Sequence, residues 1–101
     1  MTAVRTKEEV MQVLRNDMPL LQERYGITRI ALFGSFAQGS PGDDSEVDIV
    51  VETSRPLGLK FFELSDYLSA RLGRMIDLLT FNMLKIARKK PEKVLRHLVY
   101  I

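Results

Sequence analysis

Three acidic side chains and one glycine–serine pair are the residues of this sequence best suited to chemistry. Glu46 and Asp48 stand two residues apart at the start of a β-branched run, so in an extended strand their side chains point to the same face. Asp77 lies in the middle of a later apolar run. If the two strands are neighbours, the three carboxylates converge on one face. There they would repel one another unless a cation neutralised them.

The residue types present in the sequence limit which cation could neutralise these carboxylates. The chain has no cysteine and a single histidine, His97, which excludes disulfides, thiolate nucleophiles and metal sites built from cysteine or several histidines. Oxygen ligands favour a hard cation such as Mg²⁺, which binds few protein ligands and takes phosphate oxygens for the rest. Two such ions about 3.5–4 Å apart can stabilise both the attacking and the leaving oxygen of a phosphoryl or nucleotidyl transfer.

A phosphate-binding turn is predicted at Gly34 and Ser35, directly after an apolar run. Glycine lets the backbone approach a phosphate closely, and Ser35 offers both a hydroxyl and an amide. A helical turn beginning at residues 36–38 would direct further N–H groups towards the anion. We therefore expect the acids to hold the metal and this turn to hold a nucleoside triphosphate. Either motif alone is more often a solvated strand end or an ordinary turn, but the combination is more specific.

The elements that position these residues are predicted in the order α-β-(short α)-β-α-β-α. Helices are predicted at 6–26, 59–72 and 82–98, and strands at 27–33, 47–51 and 74–81. The first helix is expected to begin at a capping box formed by Thr6 and Glu9 and to end at Gly26. The second helix carries an apolar stripe, typical of a helix that packs on a core, formed by Phe61, Leu64, Leu68 and Leu72. Pro19 is expected to kink or divide the first helix, because proline removes a backbone donor and clashes with the preceding turn, and Pro91 is expected to interrupt the last. The result is an α/β (α+β) fold, a small mixed β-sheet with helices packed on it. Residues 1–101 are expected to form a single domain.

The composition narrows the class of protein. Hydrophobic residues make up 46% and charged residues 28%, as in ordinary soluble globular proteins. The net charge of +2 is too small to argue for nucleic acid, which is not expected as a direct ligand. Because the sequence shows neither a signal peptide nor an apolar run long enough to span a membrane, we expect a cytoplasmic protein without a membrane partner.

A basic segment lies in the C-terminal region. It consists of Lys85, Arg88, Lys89, Lys90, Lys93 and Arg96. The favoured interpretation is a solvated helix face, although such a segment can also attract ATP, RNA or an acidic partner surface. His97, which follows it, is expected to be a structural or surface residue and not a catalytic base.

The stretch around the acids resembles the nucleotidyltransferase motif of the polymerase β superfamily. That motif is a G-S, a D-x-D after ten residues, and a third Asp on a later strand. Gly34, Ser35, Asp48 and Asp77 match it, and residues 36–45 supply the gap. The compact length and the stretches FFELSDYLSARLGRMIDLLT and HLVYI resemble the minimal nucleotidyltransferase (MNT) family specifically. The resemblance covers nearly the whole chain.

The resemblance implies the polymerase β-like nucleotidyltransferase fold and transfer of AMP from ATP to an acceptor hydroxyl. By this likeness Asp48 would bridge two Mg²⁺ ions and Glu46 would bind with it. Asp77 would ligate the catalytic ion and activate the acceptor oxygen. Gly34 and Ser35 would cradle the β- and γ-phosphates.

The resemblance also implies a partner. Proteins of the MNT family commonly act as antitoxins of helical HEPN-type toxins and transfer AMP to a toxin tyrosine. A chain of 101 residues has no room for a second domain to hold an acceptor, so a partner should complete the site. A hetero-oligomer, or a homo-oligomer, is therefore expected.

Two positions depart from the family pattern. Glu46 stands where the family usually has Asp, and Gln38, at a predicted phosphate-binding position, stands where Arg is frequent. Both departures leave open a second function, that of a catalytically weak or inactive binding module that neutralises its partner by complex formation. A third possibility is a small-molecule modifier such as an antibiotic adenylyltransferase, although the short chain shows no acceptor pocket for one.

Overall fold

The computed structural model describes residues 3–87 and 91–101. The helices are α1 (Lys7–Tyr25), α2 (Gly34–Gln38), α3 (Lys60–Leu72), α4 (Phe81–Ala87) and α5 (Pro91–Arg96). The strands are β1 (Ile27–Phe33), β2 (Val47–Thr53), β3 (Ile76–Thr80) and β4 (Val99–Tyr100). Arg88, Lys89 and Lys90 of the basic segment lie outside the described residues. The predicted order of elements is confirmed as far as the last helical region, and β4 follows it as an additional strand.

α1 begins at the predicted capping box. Thr6 Oγ1 accepts a hydrogen bond from the backbone N–H of Glu9 at 3.1 Å, and the Glu9 carboxylate accepts one from the N–H of Arg5 at 3.2 Å. The helix ends at Gly26, which adopts the left-handed conformation with φ 67°. Each terminus is therefore formed by the residue that the sequence predicted for it.

Pro19 lies inside α1, and the helix continues through it. Of the two outcomes expected at Pro19, division of the helix is therefore wrong, and a kink stays a prediction. Leu14 and Leu21, on either side of it, are both fully buried in the same core. Their packing stabilises the helical conformation on both sides of the proline, which compensates for the lost backbone hydrogen bond.

The sheet is mixed and has the strand order β3-β2-β1-β4. β1 runs antiparallel to β2 and to β4, whereas β2 and β3 are parallel and are connected through α3. This arrangement confirms the predicted fold class. β3 is shorter than the predicted 74–81 at both ends, since it begins only at Ile76 and Phe81 already begins α4. β4 has only two residues, too few to produce an alternating pattern in the sequence.

Different helices cover the two faces of the sheet. α1 and α3 pack on one face, and Leu64, Leu68 and Leu72 of α3 are fully buried there, which confirms the predicted core stripe. Burying each leucine contributes about 1.5–3 kcal/mol. On the other face, Leu84 of α4 packs in a second cluster. Its remaining buried members are Ala31, Phe33, Val50 and Leu79.

Within residues 3–87 and 91–101, no helix has both the length and the apolar character needed to cross a membrane.

Candidate active site

Three carboxylates meet at the end of the sheet where β2 and β3 begin. Asp48 in β2 and Asp77 in β3 are direct partners in the parallel register, so both side chains leave the sheet on the same face. Glu46 immediately precedes β2. One carboxylate oxygen from each residue lies within 4.8 Å of the others. The strands are thus neighbours, as the sequence analysis required for the acids to converge.

The backbone around Asp48 explains its direction. Val47 and Ile49 flank it in the strand and are fully buried on the opposite face. Because side chains alternate across a strand, Asp48 points away from that core. The N–H of Val47 donates to the carbonyl of Met75 at 2.9 Å, which aligns the start of β2 with the start of β3. The position of Asp48 opposite Asp77 therefore follows from core packing and strand register together.

Gly34 lies against the same carboxylate. It is the first residue of α2, directly after β1, and has φ +72°. A Cβ atom added to Gly34 would lie 2.0 Å from Oδ2 of Asp48 and 3.0 Å from its Cγ. Glycine is required here for two separate reasons: the left-handed backbone, and the close approach of that backbone to the acid. The predicted glycine–serine turn is thus placed directly beside the carboxylate cluster.

A cleft of about 450 Å³ opens above these residues. It is lined by Phe33, Gly34, Gln38, Asp48, Asp77, Lys93, Val94 and His97. The structure therefore brings two of the acids, the glycine and Gln38 together in one cleft. Among the described residues, Ser35 and Glu46 are not part of this lining, although the Glu46 carboxylate lies within the acidic cluster at the cleft's edge.

Lys93 and His97 also line the cleft that contains Asp48 and Asp77. Both side chains are exposed, as expected of a solvated helix face and a surface histidine, but the sequence did not predict their place beside the acids. They are four residues apart, so a helical turn brings them to the same side of the C-terminal region. Their spacing was visible in the sequence, but the packing of α5 beside the acids was not. The cleft thus has an acidic wall and a wall that carries at least one positive charge.

These residues fit a divalent metal ion. Carboxylate oxygens are hard ligands suited to Mg²⁺, and three of them lie within 4.8 Å of one another. Carboxylates this close repel one another, and a divalent cation would reduce that repulsion. Next to these acids the cleft has room for a further ligand, and at Gly34 no side chain separates the backbone from the Asp48 carboxylate.

Comparisons with known proteins show the family of this chain. Residues 19–101 match the family model described as "Nucleotidyltransferase domain". The protein adenylyltransferase MntA of Thermococcus cleftensis is 41% identical over 98% of this chain and 99% of its own length. A solved minimal nucleotidyltransferase has 29% identity and a TM-score of 0.72, with 97% of this chain and 98% of that chain covered.

A more distant structure shares the fold. It is a complex of a tri-AMPylated HEPN toxin of Shewanella oneidensis with MNT antitoxin, and the matched chain has 20% identity and a TM-score of 0.55, with 93% of this chain and 66% of that chain covered. The family model, the Thermococcus relative and the fold all lead to one assignment. The chain belongs to the minimal nucleotidyltransferase family and is a nucleotidyltransferase.

Proposed function

We propose that this protein transfers AMP from ATP to a tyrosine hydroxyl of a helical HEPN-type toxin, in a reaction that depends on Mg²⁺, and that it thereby acts as an antitoxin. The observation that carries the proposal is the meeting of Glu46, Asp48 and Asp77 next to Gly34 and to a cleft large enough for a nucleotide's phosphate chain.

The acidic cluster would hold the metal. By the resemblance to the family, Asp48 would be a ligand of both ions. Glu46 and Asp77 would complete the protein ligands. When bound, Mg²⁺ would neutralise the triphosphate and stabilise the charge that develops during transfer.

The reaction is an in-line displacement at the α-phosphorus of ATP. The acceptor hydroxyl oxygen forms a bond to this phosphorus, the bond between the phosphorus and the oxygen that bridges to the β-phosphate breaks, and pyrophosphate leaves. Asp77 would orient the hydroxyl and accept its proton, which then passes to solvent. Holding the attacking oxygen and the phosphorus in this geometry is the main contribution the protein can make.

The turn at Gly34, beside the acids, would bind the phosphates. Gly34 and Ser35 would contact the β- and γ-phosphates through the backbone and the serine hydroxyl, and Gln38 would donate from its amide. Three carboxylates together with a triphosphate carry more negative charge than two divalent cations neutralise. Lys93, which lines the same cleft, supplies a further positive charge where the triphosphate would lie.

The proposed acceptor rests on the relatives. The Thermococcus relative is named a protein adenylyltransferase, and the structurally similar Shewanella antitoxin is in complex with a HEPN toxin that carries AMP. In this proposal a partner presents the hydroxyl to the cleft. A protein acceptor fits this arrangement better than a small molecule.

A second candidate function follows from Glu46. This residue is exposed, lies just before β2 and has one more methylene than the usual Asp. A displaced carboxylate could leave the protein as a binding module that neutralises its toxin by complex formation alone. The two functions differ in whether AMP reaches the partner.

The test is a transfer assay with purified protein, ATP labelled at the α-phosphate, Mg²⁺ and the HEPN-type protein encoded beside it. Asp48→Asn removes the central acid, and Asp66→Asn is the matched control because Asp66 is exposed on α3. We expect label on the partner with the wild type and with Asp66→Asn, and none with Asp48→Asn or with EDTA. Replacing each partner tyrosine by phenylalanine then identifies the acceptor.

A different result would favour the binding module. If no label is transferred while the wild type and Asp48→Asn both form a stable complex and both neutralise the toxin, the transferase proposal is refuted. Label that reaches the partner equally with Asp48→Asn would instead refute the assigned site.

A further inference from the structure

The loop that carries Glu46 to the site has no regular structure of its own. It connects α2 to β2 and closes on itself just before Glu46: the N–H of Gly42 donates to Ser45 Oγ at 2.8 Å, and the N–H of Ser45 donates to the Gly42 carbonyl at 3.2 Å. Glu46 itself is exposed. The position of its carboxylate therefore depends on what holds this turn against the rest of the fold.

One side chain, that of Arg74, holds it. Its Nη1 donates to the carbonyl oxygens of Gly42, Asp43 and Ser45 at 3.2, 2.9 and 3.1 Å. Its Nε donates to the carbonyl of Val4 at 2.6 Å. A guanidinium group suits this task because its planar fork presents several donors in fixed directions, which the single point charge of a lysine does not.

Arg74 also contacts α2, the helix that begins at Gly34. Its guanidinium carbon lies 5.1 Å from the ring centre of Phe36, which belongs to α2 and is fully buried. In the chain, Arg74 precedes Met75, whose carbonyl accepts the hydrogen bond from Val47, and it stands three residues before Asp77. The same short segment is thus bonded to each part of the backbone that presents the three acids.

We propose that Arg74 is a positioning residue that sets the place of the Glu46 carboxylate relative to Asp48 and Asp77, and so determines the affinity of the site for divalent metal. The inference rests on the proposed function of the acidic cluster. Residues that orient metal ligands without touching the metal commonly change affinity by about 10–100-fold. Arg74 acts on Glu46 through the backbone of the turn, so we expect an effect near the lower end, about tenfold.

The experiment measures Mn²⁺ binding from the electron paramagnetic resonance signal of free Mn²⁺, and thermal unfolding without metal. The variants are Arg74→Met, Arg74→Lys and the control Arg71→Met. Arg71 is a matched control because it also makes a structural ion pair, with Asp17 at 2.7 Å. We expect Arg74→Met to weaken Mn²⁺ binding about tenfold, Arg74→Lys to weaken it less, and Arg71→Met to lower the melting temperature without changing Mn²⁺ affinity.

A double-mutant cycle with Glu46→Gln separates positioning from general destabilisation. If Arg74 acts through Glu46, Arg74→Met should cause little further loss of Mn²⁺ affinity once Glu46 no longer binds. If Arg74→Met lowers the melting temperature but leaves Mn²⁺ affinity within twofold of wild type, or if its effect is unchanged in the Glu46→Gln background, the inference is overturned. Should Arg74→Met fail to fold, the same cycle is run with Arg74→Lys. A wild type that binds no Mn²⁺ would refute the metal site itself, and with it both proposals, before any variant is compared.

Discussion

The substitution Gly34→Ala tests most directly whether the turn after β1 and the acid in β2 form one site. The added Cβ would lie 2.0 Å from Oδ2 of Asp48, a distance at least 1.0 Å shorter than real Cβ atoms show. The Asp48 carboxylate must therefore move by about 1 Å, or the turn must. In either case the position of the Asp48 carboxylate relative to the backbone of the Gly34 turn changes.

The expected size of the effect has two parts. Alanine in a left-handed conformation costs about 1–2 kcal/mol, which lowers the melting temperature of a domain of this size by roughly 4–16 °C. Displacing a catalytic group by about 1 Å can lower the rate about a hundredfold. The first part affects stability and the second affects catalysis, so the two can be measured separately.

Gly39→Ala is the matched control. Gly39 ends α2 with φ +79°, and a Cβ added there would meet nothing within 4 Å. It should cause a similar loss of stability without disturbing Asp48. Initial rates of AMP transfer and thermal melts of both variants make the comparison. Equal activities of Gly34→Ala and the wild type, or an equal loss of activity in Gly39→Ala, would refute the argument.

Three further predictions each concern one side chain. Lys93→Met should raise the KM for ATP about tenfold with a smaller change in kcat, since a charge-assisted hydrogen bond of roughly 1.5 kcal/mol is lost. The control is Lys85→Met, on α4. An unchanged KM in Lys93→Met would contradict the assignment of Lys93 to the ATP site. Glu46→Asp should raise kcat/KM if the longer arm limits catalysis, and a lower value would show instead that the turn is adapted to Glu. The hydrogen bond from Arg71 lowers the pKa of Asp17 below its ordinary 3.8, so this pair stabilises the fold at neutral pH and the stabilisation is lost as pH falls through the lowered pKa. Asp17→Asn should therefore reduce the free energy of unfolding in urea by about 1–2 kcal/mol at pH 7 and much less in strong acid, whereas an equal loss at both pH values would contradict this origin.

The parts of the fold that the sequence predicted are those determined locally. β1 lies between Gly26 and Gly34, both of which have positive φ, and its predicted bounds are confirmed. Local signals also predicted the start of α1 and the stripe of α3. The continuity of α1 through Pro19 was not predictable in this way, because it depends on the packing of distant residues. β4 was missed for a similar reason, since its two residues become a strand only by pairing with β1.

The convergence of the three acids on one face was also predictable from the sequence. Glu46 and Asp48 are separated by one residue, and a single assumption, that β2 and β3 are neighbours, brings Asp77 to the same face. The parallel pairing of Asp48 with Asp77 shows that this assumption is correct. Whether the arrangement leads to catalysis with Glu46 in place of Asp depends on differences of about one bond length, which residue types alone do not determine.

Lys93 and His97 show how an apolar contact can bring charged residues to a site. Val94 and Leu98 are partly buried and pack against the second cluster, the one that contains Phe33 and Val50. These two apolar residues are four positions apart, as are Lys93 and His97. Val94 directly follows Lys93 in the chain, and Leu98 directly follows His97. The hydrophobic contact that fixes the C-terminal region on the sheet therefore also fixes the direction of Lys93 and His97. A pattern of charge alone could not reveal this, because the positions that decide it are apolar.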